Sequence, residues 1–201
     1  MIVRLFISVF FIAIMHSAFS QGQWELSRDQ NGIKIFTGKG GSSKFKEIKV
    51  EATFPGTIQK LTNILLNVGN TKGWVYGTKD SYVIRRISAN EILYYSETAL
   101  PWPVSNRDIP IKMIVSPDVK NNTLKVAAAG IPNAIPEKKG IVRIPYFNAT
   151  WDVKSDGKNK LDVVYILKMD PGGSVPAGVT NMFVSKGPFE TFSNLSEMMR
   201  K

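Results

Sequence analysis

The sequence contains no cysteine and only one histidine, His16, among its 201 residues. The first absence removes disulfides, iron–sulfur clusters, thiolate zinc sites and any Cys nucleophile. The single imidazole falls in a segment that reads as a leader, so the folded part carries none. A Ser-His-Asp triad, a His-ligated metal and imidazole acid–base chemistry are then excluded. Neither a metal nor a cofactor is expected. Acidic residues are also few, 16 Asp and Glu against 26 Lys and Arg, for a formal net charge of +10 at pH 7. What is present is ordinary globular composition, 43% hydrophobic and 21% charged. That excludes collagen-like, coiled-coil and disordered chains, and the length suits one domain.

Residues 1–20 read MIVRLFISVFFIAIMHSAFS. Arg4 supplies a basic start, Leu5 to Met15 an apolar stretch, and Ala18-Phe19-Ser20 a small-x-small cleavage site. The apolar stretch falls short of the about 20 residues that a spanning helix needs. We read it as a cleaved signal peptide, with an uncleaved N-terminal anchor as the rival. The expectation is an exported protein, periplasmic or secreted, whose residues 21–201 form one monomeric domain. Without disulfides, that domain depends on its own core.

Strand-like runs dominate the remainder. Ile48, Val50, Ala52 and Phe54 alternate with polar residues at the end of 43–54. Residues 81–87 and 92–99 flank a turn at Ala89-Asn90. In 107–115, Arg107, Ile109, Ile111, Met113 and Val115 share one face. Further strands are expected at 123–129, 141–153 and 161–169. Pro110 and Pro145 within such runs suggest edge positions or bulges. Two segments have helical spacing. Pro55 to Val68 begins with Pro in the first turn and carries Ile58, Leu61, Leu65 and Val68 on one stripe. Pro176 to Lys201 repeats apolar residues from Val179 to Met199, with a kink expected at Gly187-Pro188. No linker or repeat divides this order, which predicts a single α+β domain.

Several motifs resemble those of the START (StAR-related lipid-transfer) domain family. Trp102 to Asp108 resembles its W-x-x-x-x-R-D signature. Gly140-Ile141-Val142-Arg143 followed by Trp151 resembles its G-x-V-R … W strand. Tyr165, Asp170-Pro171-Gly172-Gly173 and Pro176 resemble its Y-x-x-x-x-D-P-G-G-x-x-P entry into the last helix, and Trp74 stands where the family often carries a Trp. The match runs in order over residues 24–201. It implies a helix-grip fold, in which a curved antiparallel sheet wraps a long C-terminal helix around an internal apolar cavity. It also implies binding, and transfer, of a hydrophobic ligand such as a lipid.

Such a carrier has a physical rationale. Hydrating a sixteen-carbon chain costs roughly 12 kcal/mol at about 0.8 kcal/mol per CH₂. The cavity residues expected are Tyr94, Ser96, Arg107, Ile109, Ile111, Met113, Met182 and Phe183. The last helix would act as a lid hinged at Gly172 and Gly173, with Gly187-Pro188 as a second hinge. Arg107, inward by phase, needs a partner. Glu97, Asp108 or a ligand head group are the candidates, and Asp108, one residue out of phase, is expected to tie down a loop. Sterol-carrying members resembling StAR have a cavity Arg where this chain has Met113, and Tyr94 stands in place of its acidic partner, so cholesterol is not assigned.

Two other classes compete with this reading. A cyclase- or hydrolase-like enzyme of the same superfamily would have to work with Tyr94, Ser96, Glu97 and Arg107 alone, so no enzyme is expected. A polyanion-binding module suits the charge, but export argues against nucleic acid. The lysines at 34, 39, 44, 46 and 49 suit transient docking on anionic lipid, at about 1 kcal/mol each near a surface. N-terminal sequencing of exported protein should find a chain beginning at or near Gln21, whereas an intact leader in the membrane fraction would establish the anchor.

Overall fold

The computed structural model describes residues 24–39, 46–176, 179–180 and 182–201. The leader and its cleavage site lie outside the described residues. Among the described residues ten strands make one sheet: β1 (Trp24–Gln30), β2 (Ile33–Lys39), β3 (Lys46–Pro55), β4 (Thr78–Arg86), β5 (Glu91–Thr98), β6 (Arg107–Asp118), β7 (Thr123–Gly130), β8 (Val142–Arg143), β9 (Tyr146–Ser155) and β10 (Lys160–Asp170). Their order is β1-β2-β3-β10-β9-β7-β6-β5-β4, with the short β8 lying parallel to β6. Helix α1 (Ile58–Leu66) follows β3, and α2 (Gly187–Arg200) ends the chain. This curved antiparallel sheet with a C-terminal helix is the expected helix-grip architecture.

Several boundaries differ from the sequence expectation, each for a local reason. The β1–β2 hairpin carries no clean alternation because β1 is an edge strand, open to solvent along most of its length. Its signal is the turn, since Asn31 and Gly32 both have positive φ, 55° and 75°, and Asn-Gly favours such a two-residue connection. Pro55 closes β3 instead of opening α1. The helix starts three residues later, where the Thr57 side chain accepts a hydrogen bond from the Lys60 N–H at 3.2 Å. The 141–153 run is broken at Ile144-Pro145 into β8 and β9.

Pro110 lies in a central strand, between β5 and β7, contrary to the edge expectation. Its carbonyl accepts from the Ile131 N–H at 2.8 Å, just past the last β6–β7 pair, Ile111 with Gly130. The missing N–H thus faces the place where that ladder ends. The last helical segment is irregular ahead of the expected kink: residues 179–180 are α-helical, Met182–Lys186 are π-helical, and the helix Gly187–Arg200 follows, with Pro188 in its first turn.

The sheet's concave face and the two helices enclose the core. Phe192 of α2 is its centre, with its ring 5.2 Å from Trp151, 5.4 Å from Tyr165 and 6.0 Å from Phe54. Leu195 and Met199 continue the buried stripe one and two turns on. This cluster seats one end of α2 on β3, β9 and β10.

Two adjacent residues fix the chain leading into that helix. Arg107, 2% exposed, is in phase with Ile109 and Ile111 as expected, but it sits at the rim. Its partners are neither Glu97 nor Asp108 nor a cavity group. The guanidinium donates to the carbonyls of Ser105 (2.5 Å), Pro171 (3.3 Å), Gly172 (3.1 Å) and Ser174 (3.4 Å). Burial lowers its pKa, and the carbonyl dipoles replace the water it loses. Gly172 has φ +67°, and a Cβ there would lie 3.1 Å from the Arg143 carbonyl and from Pro145, so only glycine permits this approach.

Asp108 points the opposite way and takes Arg143 in a two-pronged bond of 2.7 and 3.1 Å. Arg143 then donates to the carbonyls of Pro132, Ile135 and Pro136. The expectation that Asp108 ties down a loop therefore holds.

Two outcomes follow from this packing. Phe192→Ala should cost about 3–5 kcal/mol, the usual loss for a buried Phe, read from urea unfolding. Arg107→Leu strands the carbonyls of Pro171 and Gly172, at about 1–3 kcal/mol each. Chemical denaturation should show a loss of at least about 2 kcal/mol. A variant as stable as the parent would mean that those carbonyls are satisfied by water.

Candidate functional site

Between the concave sheet face and the start of α2 lies a cavity of about 220 Å³. Its floor follows from strand register. Opposite residues on antiparallel strands share a face, so Tyr94 lies beside Ile111, and Ser96 beside Ile109. The row then runs from Met113 to Ala128, Ala149 and Leu167 across β6, β7, β9 and β10. The two alanines account for the hollow, because methyl groups at the middle of the floor leave space that larger side chains would fill. Leu65, Val68 and Trp74 form one wall, from α1 and the 3₁₀ turn after it (Val68–Gly73). Met182, Phe183, Pro188 and Phe192 form the roof.

Seven of the eight residues expected from sequence therefore meet in one place: Tyr94, Ser96, Ile109, Ile111, Met113, Met182 and Phe183. Arg107 does not line this cavity. It borders a separate surface recess with Pro103, Val142 and Gly173. Its side-chain phase was correct, but phase says nothing of depth along a strand. Sequence reading missed Ala128 and Ala149, for which two alanines in strand runs give no signal before the register is known. It also missed Trp151, Tyr165 and Phe192 as wall residues. Their aromatic character and inward phase were visible, but only the packing of α2 decides that they face a hollow.

The cavity's polar groups are uncharged. Among the described lining residues there is no Lys, Arg, Asp or Glu. Tyr94 and Tyr165 contribute hydroxyls whose pKa values burial drives far above the usual tyrosine range, so both stay protonated. At Tyr165 the neighbouring Tyr94 adds to the effect. The indole Nε1–H of Trp74, a residue 5% exposed, has no hydrogen-bond partner among the described residues.

The rim is built differently. Glu97, on the convex side of β5, accepts from Asn106 at 2.8 Å, pairs with Lys79 at 2.9 Å and accepts from the Tyr95 hydroxyl at 3.3 Å. Burial pushes its carboxyl up, but these partners outweigh that and hold it below the ordinary value. Asn106 in turn accepts from the Leu100 N–H at 3.2 Å. This network fastens the 99–106 loop, which contributes Ala99 and Leu100 to the cavity and carries Trp102 outward, 91% exposed. Opposite it, Gly187 packs against Tyr76, where a Cβ would lie 3.2 Å from the ring and 2.5 Å from the Met182 carbonyl. The last helix and the β4 side of the rim are therefore in direct contact.

This chain is similar to known proteins over nearly all its length. An uncharacterized protein of Pseudomonas aeruginosa is 25% identical over 178 residues, covering 89% of this chain and 87% of the other. The phosphatidylcholine transfer protein of mouse is 27% identical over 174 residues, 85% of this chain and 80% of that one. The crystal structure of a STAR-related lipid transfer protein fragment from Xanthomonas axonopodis superposes with a TM-score of 0.79 at 27% identity, covering 89% of this chain and 99% of the fragment. The START domain family matches residues 15–201. This chain belongs to the START domain family.

Proposed function

We propose that this protein binds one hydrophobic molecule, a lipid, in the cavity beneath α2 and transfers it between membranes. START domains bind lipid ligands, and the observation that carries the reading here is a largely apolar cavity with a helical roof. The lining offers hydroxyls but no carboxylate or amine among the described residues. That supports binding over a cyclase- or hydrolase-like reaction, which would need a general acid or base.

In this reading, Tyr94, Ser96, Ile109, Ile111, Met113, Met182 and Phe183 contact the ligand, and the last helix is the lid. Opening about Gly172-Gly173 would break the Arg107 bonds to Gly172 and Ser174. Opening about Gly187, where π-helix gives way to α-helix, leaves those bonds intact and is the pivot we favour. The exposed Trp102 beside the rim supports transient membrane contact there, since an indole suits the interface of a bilayer. By contrast, Lys49 of the N-terminal strands is engaged, at 2.7 Å from Glu51 and 4.1 Å from the Phe36 ring centre. Export, cleavage of residues 1–20 and a monomeric state of 21–201 belong to the same proposal, and a carrier of this kind suits a space between two membranes.

Filling the floor tests the proposal. Ala149→Phe, with Ala128→Leu as a second variant, should reduce transfer of fluorescent lipid between vesicles to the spontaneous rate. Thermal unfolding should stay cooperative in at least one of the two. Normal transfer by a folded variant with a filled cavity would sink the assignment.

A further inference from the structure

The cavity wall has an electrostatic character that its apolar composition does not dictate, and this bears on which lipids can enter. The argument rests on the reading of the cavity as a lipid site. The described lining contains no charged side chain. Charged residues of the neighbouring strands act elsewhere: Arg107 is spent on carbonyls, Glu97 is paired with Lys79 and Asn106, and Asp108 and Arg143 hold each other. A phosphate or carboxylate drawn inside would be desolvated with no cation to meet it, and an ammonium would find no carboxylate. Buried charges without a partner are strongly disfavoured.

Three neutral polar groups lie in the same wall, and the last of them has no hydrogen-bond partner among the described residues. They are the hydroxyls of Tyr94 and Tyr165 and the indole N–H of Trp74. Buried Tyr and Trp polar atoms ordinarily find a hydrogen-bond partner. All three can donate, so the matching ligand atom is an oxygen acceptor, and the two hydroxyls can also accept from a ligand O–H. The volume, about 220 Å³, is below the ~300–1,000 Å³ common for small-molecule pockets, which suits a single chain better than two.

We infer that the cavity selects uncharged single-chain lipids, such as long-chain alcohols and monoacylglycerols, and that Tyr94 and Tyr165 hold the hydroxyl or ester oxygen of the ligand. Phospholipids and ionised fatty acids are excluded from the interior. This differs from what the name of the mouse relative would suggest for a ligand.

The test is a competition from vesicles. Phosphatidylcholine vesicles are doped with equal amounts of hexadecanol, monopalmitoylglycerol, palmitate and palmitoyl-lysophosphatidylcholine. The protein is incubated with them, re-isolated, and its lipid extracted and quantified. The extract should be enriched in hexadecanol and monopalmitoylglycerol over the three charged species. Tyr94→Phe and Tyr165→Phe, each melting at the parent temperature, should each lower uptake of the neutral lipids roughly 2–12-fold, the worth of one net hydrogen bond. Hexadecane, which has no oxygen, should be taken up equally by parent and variants. An extract dominated by phosphatidylcholine, lysophosphatidylcholine or palmitate overturns the selectivity while leaving lipid binding intact. Undiminished neutral uptake in both Phe variants overturns the tyrosine anchor. An extract with no lipid of any kind removes the lipid reading together with this one.

Discussion

The arrangement hangs on two neighbouring residues of opposite charge at the start of β6. Strand alternation sends Arg107 and Asp108 to opposite faces, and each holds a different loop. Arg107 gathers the carbonyls of the turn that leads from β10 toward the last helix. Asp108 takes Arg143, which in turn collects the carbonyls of residues 132–136. Asp108 also raises the pKa of Arg143, first through the hydrogen bond. Both cations are thus fully occupied by the scaffold. The chain emerging from β10 is fixed where it starts back over the sheet, and the charges that organise it stay out of the cavity.

With that launch point set, Phe192 determines where the helix comes to rest. Its ring settles among Trp151, Tyr165 and Phe54 at one side of the concave face. The start of the same helix borders the cavity whose floor holds Ala128 and Ala149, where the side chains are small. A hollow results from tight packing at one end and small side chains at the other. The core and the cavity are therefore two halves of one interface, and Phe192 belongs to both. This explains how the fold tolerates a hollow, since Leu195 and Met199 continue the helix's buried stripe beyond it.

The roof is built from less regular structure than the floor. Met182 and Phe183 lie in a π-helical turn, whose hydrogen bonding is rarer and less stable than that of an α-helix. Methionine there is unbranched and adapts readily to its neighbours. The rim opposite is held by the Glu97–Asn106–Lys79 network, so rigidity and adaptability are divided between the two sides of the opening. Trp102 projects from the rigid side.

Much of this was legible in the sequence. Alternation in 107–115 gave the inward face of β6, and the spacing of Phe192, Leu195 and Met199 gave the buried stripe of the last helix. The absence of Cys and His excluded whole classes of chemistry without any coordinates. The motif residues also fixed the family, although their physical work proved to be internal, joining Arg107 to the Asp170–Gly173 turn and Asp108 to Arg143. Other features could not be read in advance. Which carbonyls Arg107 would meet, and that Ala128 and Ala149 would lie side by side, depend on pairings between segments far apart in the chain. A one-dimensional pattern carries the face on which a side chain lies, because that is a property of a single strand. It does not carry depth, neighbours or emptiness, because those arise only when β6, β7, β9 and the terminal helix are brought together.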